Sequence, residues 1–328
     1  MIPCHFDPFD KAQDKLWEKS LLDPSTSLGM TGLGPSPLRL SVFARNIPRF
    51  GCGSAALGHL SRIVQLLVSL AISAASGAAA AQTDYAPKSG QPGKDVVWVG
   101  NPEVMVQKML DMARVVAGDY VVDLGSGDGR NVIAAAKRGA RAHGIEYDPD
   151  LVDYAKRLAA KERVGDRATF ERGDVFVADF TKATVVVLFL TPEMNIRLRP
   201  KLLDLKPGSR VVANTFAIGD WNPDEIANVG AGCEKFCTAR LWIVPAKVAG
   251  TWRMSQGELT LKQVYQTFSG SLKNGAGTVP VSGRVRGDQV NFRAAKTQFA
   301  GRVDGNVIEG FARTAGVDSK FRAMRANK

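Results

Sequence analysis

The stretch V-V-D-L-G-S-G-D-G-R, from Val121 to Arg130, decides how the rest of this chain is read. Its apolar half suits the end of a buried strand, and its glycine-rich half suits a tight bend that opens a helix. Gly125 and Gly127 permit the bend and leave the backbone bare, so a ligand can approach closely. Outward from it, strand and helix patterns alternate. Tyr120–Leu124, Ala140–Glu146, Ala168–Arg172, Ala183–Leu190 and Arg210–Phe216 read as strands, and Asn131–Lys137, Asp150–Ala160 and Glu193–Leu203 read as helices. Upstream, Val104, Met105, Met109, Met112 and Val115 recur at helical spacing and predict a helix over Asn101–Val116, with Asn101 as N-cap and Pro102 in the first turn. Phe236–Val244 reads as a further strand whose hairpin closes a sheet edge. Apolar strands alternating with helices predict an α/β domain: a parallel sheet with helices on both faces.

Beyond Pro245 the pattern changes to short alternating segments: Gly257–Tyr265, Val279–Val285, Val290–Arg293, Phe299–Val303 and Val307–Ala312. They are separated by the turn signals Asn274-Gly275, Arg286-Gly287-Asp288 and Asp304-Gly305-Asn306. Residues 246–328 are therefore expected to form a small antiparallel meander or barrel, after an α/β domain over 82–245 that begins with a polar linker at 83–97. Residues 1–60 lack a sustained period and are expected to be disordered. They also resemble peptide translated from repeat DNA upstream of a gene, which predicts a true start further along the chain. Residues 61–81 place Arg62 before an apolar run and end in Ala79-Ala80-Ala81, the pattern of a secretory signal peptide. Export to the periplasm or medium is the expectation, with an uncleaved membrane anchor as the alternative.

The 328 residues carry 43 Lys/Arg against 32 Asp/Glu, a net charge of +11. Such a balance suits a basic enzyme or an acidic partner. There are three histidines, and only His143 falls in the α/β domain, which argues against a histidine-based metal site or a Ser-His-Asp triad. His143 itself is expected to be structural. Cys233 and Cys237 lack a second pair of ligands, so no metal site is predicted; the two are equally consistent with a disulfide and with free thiols.

The candidate site gathers at successive strand ends. Asp123 precedes the first glycine, Glu146 ends the second strand, and Asp174 follows the third in R-G-D-V-F. A dinucleotide fold would place glycine where Arg130 stands, and would set no acid opposite a pyrophosphate. Both departures favour S-adenosyl-L-methionine (SAM). Asp123 would receive its amino group, Glu146 the ribose hydroxyls and Asp174 the adenine amino group, with Ser126, Tyr147, Val175 and Phe176 in contact nearby.

Taken together, D-L-G-S-G-D-G-R, G-I-E-Y-D-P, G-D-V-F and a long strand ending in T-P-E resemble class I SAM-dependent methyltransferases. From about Val96 to Trp221 the chain looks most like the mitochondrial protein-lysine methyltransferases of the ATP synthase and the adenine nucleotide translocase, and their bacterial relatives. The T-F-A-I-G-D-W run, Thr215 to Trp221, is partly like that family's R-F-P-F-P-x-W. The resemblance implies a Rossmann-like seven-stranded sheet, SAM as cofactor and a protein lysine as methyl acceptor.

Methyl transfer needs alignment more than acid–base help. Thr191, Pro192, Phe216 and Trp221 are the candidate catalytic positions, with Trp98 and Glu193 as further walls of the acceptor pocket. Two other readings stay open: a small-molecule methyltransferase, and an exported non-catalytic binding module. Nucleic acid is not the predicted partner, because no N-P-P-[YF] motif for base amines is present. Membrane association is expected only through residues 61–81, and the oligomeric state is not legible.

Overall fold

The computed structural model describes residues 85–326, so the expectations for 1–60 and 61–81 lie outside the described residues. The α/β part runs α1 (Glu103–Met112), β1 (Tyr120–Leu124), α2 (Arg130–Lys137), β2 (Arg141–Glu146), α3 (Pro149–Lys161), β3 (Ala168–Arg172) and β4 (Val185–Leu188). It continues with α4 (Pro192–Leu203), β5 (Arg210–Asn214), β6 (Glu225–Asn228) and β7 (Thr238–Ile243). The seven strands lie in the order β3-β2-β1-β4-β5-β7-β6. All lie parallel except β7, which pairs antiparallel with β5 and β6 and forms the anticipated edge hairpin with β6.

Side-chain alternation along the strands builds two cores. Val121, Val185, Val187 and Val212 face Met105, Met109, Val132 and Val152 of the first three helices. Val122, Leu124, Val186, Leu188 and Val211 face the other way, onto Leu198 and Leu202 of α4 with Trp221 and Trp242. This is the predicted sheet covered on both faces. The order reverses between β1 and β4, and their carboxyl ends open the crevice in which such sheets hold ligands.

The first helix departs from expectation. It starts at Glu103, and Pro102 stands at its cap with no side-chain hydrogen bond. Asn101 is buried, and its amide bonds Asn131 and Asn214 instead of capping the helix. Two other helix starts follow local chemistry. Asp148 accepts from Asp150 N at 2.9 Å ahead of Pro149, and Thr191 accepts from Met194 N at 3.4 Å ahead of Pro192.

The remainder is a closed eight-stranded antiparallel barrel: β8 (Gly250–Met254), β9 (Gly257–Val264), β10 (Thr267–Asn274), β11 (Gly277–Arg286), β12 (Gln289–Ala294), β13 (Thr297–Asp304), β14 (Val307–Thr314) and β15 (Val317–Arg325). Each strand pairs with its sequence neighbour, and β15 returns to β8. Trp252, Phe268, Phe292, Phe299 and Phe321 belong to its core, with Phe292 and Phe299 paired across β12 and β13, so side chains fill the interior. Strands β8, β10 and β15 escape the sequence reading. The β9–β10 and β14–β15 hairpins turn at Tyr265 and Ala315, both at positive φ, where glycine or asparagine normally signals the turn. Residues 246–328 hold 14 Lys/Arg against 5 Asp/Glu, so the chain's net positive charge belongs mainly to this part.

One end of the barrel is tied to the edge of the α/β sheet. Tyr265 Oη donates to Asp220 at 2.9 Å, Gln266 Nε2 to Asn222 O at 2.7 Å, and Arg284 to Asp224 at 2.8 Å.

Barrel curvature depends on Gly270, where a Cβ would lie 1.8 Å from Thr260 O. Gly270→Ala is expected to lower stability by about 1–3 kcal/mol in urea titration, as overpacking does. Gly275→Ala, with no atom within 4 Å of its Cβ, should stay within about 0.5 kcal/mol of the parent.

Candidate SAM site

The crevice at the ends of β1, β2 and β4 encloses about 840 Å³, counting its open mouth. Its walls include Gly125, Ser126, Gly127, Glu146, Tyr147, Asp174 and Val175, so seven of the eight residues predicted to hold the cofactor share one cleft. Gly125 and Gly127 adopt φ of +78° and +54°. A Cβ on Gly125 would come 2.9 Å from Leu190, and one on Gly127 would come 2.2 Å from Trp98. The bend therefore needs glycine for both conformation and space. Glu146 accepts from Gly127 N at 2.9 Å with one oxygen and from Asp148 N at 3.0 Å with the other. Each oxygen keeps a lone-pair direction for a hydroxyl. Asp174 accepts from Phe176 N at 2.9 Å and from Lys94 Nζ at 2.6 Å, and these bonds, the Lys94 one foremost, hold its carboxyl below the usual range.

Asp123 is the eighth. It is 1% exposed and stands behind the wall. Its Oδ2 accepts from Asn131 Nδ2 at 3.0 Å, and Asn131 itself lines the cleft. Burial drives the Asp123 carboxyl up to about 8; the Asn131 bond opposes this, and the charges of Glu146 and Asp128 add to it. A cationic amino group at this end of the cleft would draw the carboxylate back into its ionised form.

Part of the expected linker is a wall of the site. Residues 93–101 form one continuous strap along the cleft wall. Lys94 lies 4.6 Å from the Tyr147 ring centre, and Trp98 lies against Gly127. Arg130, the residue that breaks the dinucleotide pattern, holds this strap: it donates to Asn101 O at 2.5 Å and stands 5.9 Å from the Trp98 ring centre.

The acceptor-side candidates separate. Phe216 packs with Phe189, a cleft residue, at 6.4 Å between ring centres. Thr191 and Pro192 form the start of α4 outside the cleft lining, and Glu193 is exposed in its first turn. Trp221 is fully buried. It packs on Trp242 at 6.1 Å and Tyr265 at 6.2 Å, so it supports the loop and does not line the cleft. His143 bonds Thr169 Oγ1 at 2.8 Å on the neighbouring strand. Sequence reasoning misses Asn131, Asn101, Phe189 and Phe236. Asn131 carries a signal, since it stands eight residues after Asp123 in the first turn of the following helix.

The glycine cradle, the carboxylate pair and the strap fit a nucleoside with an amino-acid arm. The ANTKMT methyltransferase domain model matches residues 123–225. A protein-lysine N-methyltransferase from Saccharolobus islandicus is 42% identical over 140 residues, which cover 42% of this chain and 87% of that protein. The chain belongs to the protein-lysine N-methyltransferase family. The human lysine N-methyltransferase of the ATP synthase is 39% identical over 126 residues, 38% of this chain and 54% of that enzyme. The chain thus spans about half the length of that relative. Among solved structures, an RNA methyltransferase from Salinibacter ruber bound to S-adenosyl-L-homocysteine is 43% identical. That match covers 46% of this chain and 96% of the other, at a TM-score of 0.43. SAM is the cofactor of this methyltransferase, and Glu146, Asp174 and the Gly125–Gly127 bend are the groups that would hold it.

Two outcomes are expected for the methyltransferase. Glu146→Gln should weaken S-adenosylhomocysteine binding about tenfold or more in calorimetry, the loss of charge-assisted hydrogen bonds. For Asp123, the folded value of about 8 lies above the unfolded value of about 3.9. The folded cofactor-free protein therefore holds the proton that the unfolded chain releases. The associated stability is complete below about pH 4 and is lost as pH rises to about 8. Urea midpoints of the parent should fall relative to Asp123→Asn across that window; parallel curves would refute the buried, protonated carboxyl.

Proposed function

We propose that this protein transfers methyl groups from SAM to lysine side chains of a protein acceptor in an exported or membrane-facing setting. The observation that carries the reading is the single cleft uniting Glu146, Asp174 and the glycine bend, with a phenylalanine-lined side beside it. The names of the relatives support lysine as the acceptor. When bound, SAM supplies a methyl carbon made electrophilic by its sulfonium.

The residues of the chain then have three tasks. Glu146 and Asp174 would hold the ribose and base, and the Gly125–Gly127 bend would leave the backbone open to the amino-acid arm. The strap from 93 to 101 forms one wall of the cleft. On the open side, Phe189, Leu190 and Phe216 give an apolar approach. A lysine amine ordinarily titrates near 10.4, and the buried apolar surface at Leu190, beyond the rings, disfavours its charged form, leaving the lone pair free for in-line attack. The proton goes to solvent, so no dedicated base is required.

Export is supported by the composition of residues 61–82 and by the Cys233–Cys237 disulfide, which suits an oxidising compartment.

Incubation with methyl-labelled SAM and a membrane extract is expected to label a protein band. The label should survive ribonuclease, be lost to protease, and be recovered as methyl-lysine after hydrolysis. Label confined to small metabolites or to RNA would reject the lysine reading. Fractionation should place the mature protein outside the cytoplasm.

A further inference from the structure

Three phenylalanines meet at the rim of the cleft, although they are far apart in sequence. Phe189 follows β4, Phe216 follows β5, and Phe236 precedes β7. Because β7 runs antiparallel to β5, its start lies at the same sheet edge as the ends of β4 and β5. The topology alone brings the three positions together.

Their ring centres are 6.4 Å (Phe189–Phe216), 5.4 Å (Phe189–Phe236) and 5.8 Å (Phe216–Phe236) apart. The cluster is only half-buried, and Phe236 keeps 37% of its surface exposed. Phe189 also lines the cofactor cleft, so the cluster continues the wall beside which the methyl donor lies. Elsewhere in the domain, several aromatic rings lie near the chain's own cations: Lys94 and Arg172 by Tyr147, Arg130 by Trp98, Arg197 by Phe176. Phe189, Phe216 and Phe236 instead pack on one another.

Two devices hold the cluster in place. Asn195, fully buried on α4, donates to the carbonyls of Phe216 and Ala217 at 3.4 and 3.3 Å. On the other side, Cys233 and Cys237 form a disulfide that encloses Phe236 in a five-residue loop, with Phe236 at φ +60°. A bridge over so short a loop removes little chain entropy compared with a long one. Its main effect is local: it fixes the backbone that presents Phe236.

We propose that Phe189, Phe216 and Phe236 form a docking platform for the ammonium head of the acceptor side chain, and that the Cys233–Cys237 disulfide keeps the platform assembled. The inference rests on the amine-methylation reading and names the acceptor subsite. The exposed ring faces attract the charged form at the rim. Movement from the rim to the drier wall then favours loss of the proton before transfer. Methylated lysine keeps its charge and gains apolar surface, so the same platform suits each successive product.

The test uses binding, which is independent of turnover. Nα-acetyl-Nε-trimethyl-lysine amide, Nα-acetyl-norleucine amide and choline are titrated into protein saturated with S-adenosylhomocysteine, with the phenylalanine ring signals followed by NMR. The trimethyl-lysine probe is expected to shift the three rings and to bind more tightly than both others. Phe236→Leu should weaken it about two- to fivefold, the range expected for an exposed cation–ring contact of about 0.5–1 kcal/mol. Cys233→Ser/Cys237→Ser should weaken it by a comparable factor. Both variants should retain S-adenosylhomocysteine affinity, which reports an intact fold. Equal binding of norleucine, tighter binding of choline, or undiminished binding in the Phe236 variant would overturn the platform. Undiminished binding in the serine variant would overturn the role of the disulfide. Absence of methyl-lysine in the labelling experiment would count against the function while leaving these titrations interpretable.

Discussion

A carboxyl group buried under the glycine bend constrains the whole site. Asp123 is almost fully shielded from solvent, and an unpartnered charge there would cost several kcal/mol. The protein answers with a chain of amides. Asn131 donates to Asp123 and accepts from Asn101 at 3.3 Å; Asn101 accepts from Asn214 at 2.7 Å; Asn214 accepts from Thr215 Oγ1 at 2.9 Å. Each asparagine in the row both donates and accepts, so none can move without leaving a buried group unpaired. The row joins β1, the first turn of α2, the end of the strap and the end of β5. Satisfying one acid thus fixes where the cofactor bend, the strap and the first acceptor-side residues meet.

This explains which parts of the molecule are readable from sequence. Strand β1 is legible because Val121, Val122 and Leu124 are apolar between a polar start and a glycine bend. Glu146, Asp174 and the glycines stand out because each follows a strand that its own pattern reveals. Asp123 falls on the right strand, but its distance from the ligand is not legible, since depth behind a wall has no signature in a linear pattern. The strap reads as linker because its polar Pro/Gly/Lys composition carries no period, yet Lys94, Trp98 and Asn101 make long-range contacts. Trp221 reads as a pocket wall because aromatic residues after a strand end look alike. Trp242, whose indole N–H donates to the Trp221 carbonyl at 2.7 Å, and Tyr265 cover it. Phe236 is hidden in a loop whose shape depends on the disulfide.

The barrel has its own logic. Its strands follow one another in simple succession, so local pairing suffices to build it, and its aromatic core leaves side chains rather than a lumen at its centre. Closure removes the sheet edges that would otherwise invite aggregation. The charge read from the composition resides mainly here, while residues 82–245 carry as many acids as bases. The excess charge therefore describes the barrel, and an electrostatic account of the acceptor must start from that surface and not from the cleft.

The sheet divides at the switch point between β1 and β4, and the two halves bear different demands. β1, β2 and β3 carry or precede Asp123, Glu146 and Asp174, whose spacing is dictated by one small ligand. β4, β5 and β7 adjoin Phe189, Phe216 and Phe236, whose rings meet at the rim of the cleft. The added features of the chain lie on the second half. The disulfide sits at the start of β7, and the barrel bonds Asp220, Asn222, Asp224 and Glu225, all in the segment that leaves β5 and forms β6. A barrel anchored there can set the path of the acceptor loop through Tyr265, Trp221 and Asp220 while leaving the cofactor half untouched. The strand order thus sets the two groups of residues on either side of the switch point, and they meet at Phe189, which follows β4 and lines the cofactor cleft.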